Sequence, residues 1–180
     1  MKLTSTLGLF VILLFSTHFS FAQTAQFPIV KGFGGIYEIK DAVERPDPSL
    51  EYKIIIDMTT GADNQEEISR WVDNIARLMN LHGLVGVPKE RLQVKVVIHG
   101  GAIFTLLNDA EFQERSKVDN PNLKVYEALQ EADVEIFVCG QSMIARNLTK
   151  SDLWPGVKIA HSALTTLTTY VPQGYTLLKF

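Results

Sequence analysis

The sequence predicts an α/β fold in which a mostly parallel sheet lies between helices, and two observations carry that expectation. Five short runs rich in β-branched and aromatic residues (Lys53 to Met58, Leu92 to Ile98, Val134 to Val138, Val157 to Ala160 and Tyr175 to Leu178) are separated by segments that are largely helical in pattern. The residues able to do chemistry gather at one end of these runs. Asp57, His99, Cys139 and His161 fall at or just past the carboxyl ends of four of them, and the amino ends carry nothing comparable. In parallel sheets the carboxyl ends are where binding and catalysis collect.

Met1 to Ala22 reads as a targeting segment. Lys2 supplies a basic start, Leu7 to Phe15 is an apolar run too short to span a bilayer, and Ser20-Phe21-Ala22 places small residues at a cleavage site. Cleavage is expected after Ala22, giving an exported chain, periplasmic or secreted, with no membrane attachment. Lipidation at that site would require a cysteine there, and the sole cysteine is Cys139. Of 17 basic and 20 acidic residues the segment removes only Lys2, leaving 16 against 20 and a net charge of −4. That balance argues against nucleic acid as a partner. The 158 residues that remain suffice for one domain with a full core. A single cysteine permits no intramolecular disulfide, so the core must stand on packing.

Residues 23–50 are loop-like, with Gly32, Gly34, Gly35, Pro46 and Pro48 scattered through them. Phe27, Phe33, Ile36 and Tyr37 give this stretch something to bury, so it is expected as an N-terminal arm over the domain or over a neighbouring subunit. The domain itself occupies residues 51–180. After the first strand, Asp63 followed by Glu66 reads as a capping box, and Ile68, Trp71, Val72, Ile75, Leu78, Met79 and His82 recur at helical spacing, predicting a helix over Gln65 to His82. His82 lies on the apolar stripe, where a histidine is more often a core-edge residue than a ligand. Gly83 and Gly86 read as the end of that helix.

His99-Gly100-Gly101 closes the second strand, and paired glycines there let the backbone turn tightly or approach a ligand. Ala102 to Asn108 reads as a short helix, Asp109 to Asn120 as a polar connection anchored by Phe112, and Pro121 as the opening of a helix to Ala132. A Trp154-Pro155-Gly156 turn precedes the fourth strand, and Ala163 to Val171 has the last helical pattern.

Cys139 is the candidate reactive group because it stands where a buried strand meets a helix start. Gly140 breaks the strand and Gln141 to Asn147 can begin a helix with Gln141 or Ser142 in its first turn. The sulfur is then expected among free backbone N–H groups at the positive end of a helix dipole, an environment that favours thiolate. This chemistry needs the sulfur to be reachable by solvent at the mouth of a crevice. The competing reading is a small apolar residue that only packs. A third combines Cys139 with His99, His161 or Asp57 as a zinc or copper site, although their spacing carries no ligand signature, so no metal and no cofactor is assigned. Thr60-Gly61-Ala62 lacks a Walker pattern, His99-Gly100-Gly101 lacks the dinucleotide fingerprint, and Gly140-Gln141-Ser142 is not a nucleophile elbow. Asn147-Leu148-Thr149 is a glycosylation sequon that matters only in a eukaryotic secretory pathway.

Four pieces in order, Met79-Asn80-Leu81-His82-Gly83, Val96-Val97-Ile98-His99-Gly100, Val138-Cys139-Gly140-Gln141-Ser142-Met143 and Gln173-Gly174-Tyr175, resemble the DsrE/DsrF family of sulfur-relay proteins, and its exported single-domain branch in particular. The resemblance runs from about Tyr52 to the C-terminus. It implies a three-layer α/β/α arrangement around a mostly parallel five-stranded sheet and assembly into trimers or larger rings. It also implies that Cys139 matches the cysteine that carries persulfide sulfur in cytoplasmic relay members. His99 and Gly100 match a recurrent pair of the exported branch with no assigned role. The function expected is therefore an exported protein that handles or binds sulfane sulfur through a persulfide on Cys139, with His99, Gly100, Gly140, Gln141, His161 and Asp57 as the supporting pocket. A non-catalytic small-molecule or partner-binding module of the same fold, or a weak metal site at the strand ends, is the alternative. A signal peptide would separate this chain from the cytoplasmic relay partners, so donor and acceptor do not carry over.

Overall fold

The computed structural model describes residues 23–180, and the expected targeting segment Met1 to Ala22 lies outside the described residues. Five strands, β1 (Tyr52–Met58), β2 (Leu92–Ile98), β3 (Glu135–Cys139), β4 (Lys158–Ala160) and β5 (Thr176–Lys179), form one sheet in the order β4-β3-β2-β1-β5. Every neighbouring pair is parallel. Helices α1 (Arg70–Leu84), α2 (Asp109–Ser116), α3 (Leu123–Glu131), α4 (Gly140–Ile144) and α5 (Ala163–Tyr170) make the connections. The chain steps outward from β1 to β4, then α5 carries it back across the sheet to set β5 beside β1. Right-handed crossovers place helices on one face while the chain moves one way and on the other face when it reverses.

That reversal makes the two faces unequal. Ile54, Ile56, Met58, Val94, Val96, Ile98, Ile136 and Val138 point to one side and pack with Val72, Ile75 and Met79 of α1, Val125, Tyr126 and Leu129 of α3, and Met143 of α4. The other side has only a small cluster in which Val97 and Cys139 meet Ala163, with Phe137 and Leu167 against them. Towards the amino ends of the strands this second face is closed by polar and aromatic groups instead. Lys95, its side chain 12% exposed, is bonded to Glu135, which also pairs with Lys158 at 2.8 Å, and the Lys95 ammonium lies over the rings of Tyr170 and Tyr175. Burial is the largest single effect and pulls the Lys95 pKa down, but the Glu135 hydrogen bond together with the electrostatic attraction of Glu135, Tyr175 and Tyr170 outweighs it, so the pKa is raised.

Four local readings of the sequence are corrected. The first helix starts at Arg70, not Gln65: Asn64 accepts from the Glu66 N–H in a tight turn, Asp63 pairs with Arg70 at 3.4 Å, and the cap is Ser69, whose Oγ accepts from the Trp71 N–H. The Ser69 N–H donates to the fully buried Asn122 Oδ1 at 2.8 Å, and a buried long-range bond outweighs a solvated local cap. Gly83 does not end this helix; it lies within α1, against Ile29 of the arm. Within the stretch Asp109 to Asn120, residues Asp109–Ser116 form α2, capped by Asn108 Oδ1 on the Glu111 N–H. With Phe112 as its one buried residue, α2 has no apolar stripe to reveal it. The helix expected from Pro121 begins two residues later, at Leu123.

The arm lies along α1, with Val30 and Ile36 fully buried and Gln26 paired to Ile36 in an antiparallel bridge. Asn80 of α1 holds it: Oδ1 accepts from the N–H groups of Ile29 and Val30, and Nδ2 donates to the carbonyls of Val30, Phe33 and Gly34. His82 is half-buried at the core edge, its Nδ1 2.9 Å from the Leu78 carbonyl and its ring edge-on to Tyr52. Among the described residues no helix is long and apolar enough to cross a membrane.

Candidate functional site

The carboxyl ends of β1, β2 and β3 bring three of the expected residues to one face. Val97 and Phe137 are register partners and share the α5 side of the sheet. Side chains alternate along a strand, so His99, two residues past Val97 in extended backbone, and Cys139, two past Phe137, project to that same side. Asp57 is the register partner of Val97 on β1 and joins them. Asp57 and His99 meet directly: the Nε2–H of His99 donates to Asp57 Oδ1 at 2.6 Å, with the two side chains only 26% and 14% exposed for His99 and Asp57. An ionised carboxylate is an acceptor only, so the proton of the neutral ring sits on Nε2.

Cys139 ends β3 and is the residue before α4. Burial pushes its thiol pKa up, but the backbone N–H of Ala163, the hydroxyl and N–H of Ser142 and the N–H of Gln141 face the sulfur and hold the pKa below the ordinary thiol value. The expected helix dipole is a minor part of this, because α4 is only five residues long. What lowers the thiol pKa is individual N–H groups from the first turns of two helices, α4 and α5, with the Ser142 hydroxyl. Gly140 makes this packing possible: a Cβ there would lie 2.9 Å from the Ala160 carbonyl oxygen of β4.

The sulfur does not stand at an open crevice. Cys139 is 4% exposed and packs against Val97 and Ala163, because α5 folds back over the end of β3. Clefts of about 210 Å³ and 320 Å³ lie elsewhere, at the amino ends of β3 and β4 and between the arm and α1. Gly100 has φ +58°, and this backbone turn starts a 3₁₀ segment, Gly100–Leu106, with the position of a Cβ only 3.1 Å from the Thr59 carbonyl oxygen. The paired glycines thus serve the turn. Gln141 contributes its N–H while the residue is exposed, and His161 is exposed beyond β4. No group of three or more His, Cys, Asp or Glu side chains among the described residues could hold a metal ion.

Ala163 is the contributor the sequence did not point to. Ser162 followed by Thr165 marks a helix start, and Ser162 Oγ does accept from the Thr165 N–H at 3.0 Å. That this start faces Cys139 follows only from the pairing of β4 beside β3, Ala160 against Cys139.

Comparison with known proteins agrees with this architecture. Two solved structures share the fold: a protein of unknown function, MTH1491, from Methanobacterium thermoautotrophicum (15% identity, TM-score 0.55) and the ychN protein from E. coli (19% identity, TM-score 0.50). Each comparison covers 72% of this chain and 99% of the other. None of the curated proteins matches the chain. The model of the DsrE/DsrF-like family matches residues 52–180, the whole sheet and all five helices, and the chain belongs to that family.

Proposed function

We propose that the protein handles sulfane sulfur through a persulfide on Cys139. The observation that carries the reading is the thiol itself, held below its ordinary pKa by the N–H groups of Ala163, Ser142 and Gln141 at the carboxyl end of a sheet of the sulfur-relay type. A thiolate attacks the outer sulfur of a persulfide R–S–SH, the S–S bond breaks, and R–S⁻ leaves while Cys139–S–SH forms. The same bond exchange in reverse delivers the sulfur to an acceptor thiol, so no oxidant is consumed. At 4% exposure the sulfur is covered in this conformation, so the transfer requires the start of α5 to move off Cys139 and admit the donor. Incubation of the protein with inorganic polysulfide, followed by intact mass, tests it. The expected result is added sulfur that a reductant removes, absent from Cys139→Ala. A Cys139→Ala variant that gains sulfur equally overturns the proposal.

Export belongs to this reading, with cleavage after Ala22, and so does assembly of identical chains into trimers or larger rings. N-terminal sequencing of the protein from its native host and light scattering of the purified protein test these, an uncleaved N-terminus or a monomer counting against each. One observation favours a second reading, a binding module without catalysis: Cys139 packs like a core residue among Val97, Ala163, Phe137 and Leu167. In that case iodoacetamide labels the folded protein slowly and labels it fully only after denaturation.

A further inference from the structure

Resting on the Cys139 reading, we infer that His99 is the proton carrier for the thiol and that Asp57 is the positioning residue that sets its tautomer. The argument begins with the sheet. Ile98 pairs with Val138, so the next residues along, His99 and Cys139, stand on adjacent strands at the same level, about 5 Å apart in backbone spacing. Cys139 lies in the α5-side cluster with Val97, and His99, two residues past Val97, bonds Asp57, the register partner of Val97, on that same side.

His99 is held from one direction only. Its Nε2 lies 2.6 Å from Asp57 Oδ1 of β1, on the side away from β3, so in the neutral ring beside an ionised Asp57 the nitrogen with the free lone pair is Nδ1. Cys139 is flanked by donors that stabilise negative charge on sulfur, the N–H groups of Gln141, Ser142 and Ala163. Those groups cannot take a proton away; a neutral imidazole can. Among the described residues the strand ends offer no competitor on this face. Lys179 of β5, register partner of Asp57, is exposed and cationic, and His161 is exposed beyond β4.

The proton balance is closed. His99 Nδ1 takes the Cys139 proton; the thiolate attacks the sulfane sulfur of R–S–SH; the S–S bond breaks; and the departing R–S⁻ takes the proton back from the imidazolium. The sum is R–S–SH and Cys139–SH giving R–SH and Cys139–S–SH, with His99 and Asp57 unchanged. Neither an oxidant nor a metal enters.

The test is the rate of Cys139 alkylation by iodoacetamide in the folded protein, followed by intact mass between about pH 5 and pH 10. His99→Gln and Asp57→Asn are each expected to slow the reaction about tenfold at pH 7, one unit of thiol pKa, and to rejoin the wild-type rate near pH 10, where the thiol ionises unaided. Rejoining at high pH separates loss of the proton carrier from loss of structure, which slows or speeds labelling at every pH. Asp57→Asn keeps the ring and alters only its partner, so it serves if His99→Gln does not fold. Superimposed profiles for wild type and both variants overturn the inference, as does a folded-state thiol that iodoacetamide reaches at no pH. A His99-dependent profile in a protein that takes no sulfur from polysulfide overturns the sulfur reading and leaves this one standing.

Discussion

Replacing Asn80 by Ala tests how the N-terminal arm is secured, and the structure sets the size of the effect. Asn80 is fully buried and makes five contacts of hydrogen-bond length with the arm, at 2.8–3.2 Å: Oδ1 accepts from two N–H groups, and the two N–H groups of Nδ2 are shared among three carbonyls. A net contribution of about 1 kcal/mol for each of the two accepted and two donated bonds gives a loss of about 4 kcal/mol if the arm stays in place with its N–H and C=O groups unpartnered. The arm has an alternative: it can lift off α1, return those groups to water and expose Val30 and Ile36, whose burial is worth about 1.5–3 kcal/mol each. The cheaper route sets the outcome, so the expected loss is about 3–4 kcal/mol. Urea unfolding measures it, and trypsin under native conditions reports the route, since cleavage after Lys31 becomes fast once the arm is free. The arm covers the α1 side of the sheet and Cys139 the other, so thiol alkylation in the folded protein stays as in wild type. A loss below about 1 kcal/mol with Lys31 still resistant would show that Asn80 does not hold the arm.

Two further perturbations probe the site and the sheet beneath it. Gly140→Ala places a methyl 2.9 Å from the Ala160 carbonyl oxygen, a backbone atom that cannot swing aside, so β3 and β4 must separate at the sulfur. The cost is about 1–3 kcal/mol, seen as a lower melting midpoint together with a changed Cys139 alkylation rate, and a variant that melts and labels like wild type refutes the contact argument. Glu135→Gln leaves Lys95 half-enclosed by Tyr170 and Tyr175 without its counter-charge. Breaking a buried pair costs about 3–5 kcal/mol, but Glu135 is 37% exposed, and solvent screening reduces this to about 1 kcal/mol. The hydrogen bonds from Lys158 and Lys95 hold the Glu135 pKa below its ordinary value of 4.5. Its stabilisation is therefore complete above that value and is lost as pH falls through the depressed pKa. Denaturant curves should show wild type ahead of Glu135→Gln at pH 7 and the gap closing below about pH 4; a gap that persists in acid refutes the assignment.

The strands were legible because each is a short β-branched run whose burial is local to its own residues. The run Leu92 to Ile98 shows the limit of that: Lys95 reads as an intrusion in an apolar strand, and only the sheet order reveals that it faces Glu135 of β3 beneath two tyrosines. The start of α5 was legible because Ser162 caps it through its own side chain and helical spacing follows. The helix α2 went unread despite its local cap at Asn108, because it buries Phe112 alone, and the start of α1 at Ser69 is set by Asn122, more than fifty residues away.

By itself, then, the chain order determined the alternation of strands and helices and put Asp57, His99 and Cys139 at strand ends, because periodicity and turn residues act over a few neighbours. Only the tertiary structure decided that Asp57 and His99 join, that His161 stays apart in solvent, and that α5 closes over the sulfur. Those outcomes depend on which strands lie side by side and on the reversal that sends α5 to the second face. Both are settled by the packing of the whole sheet and by no short stretch of residues.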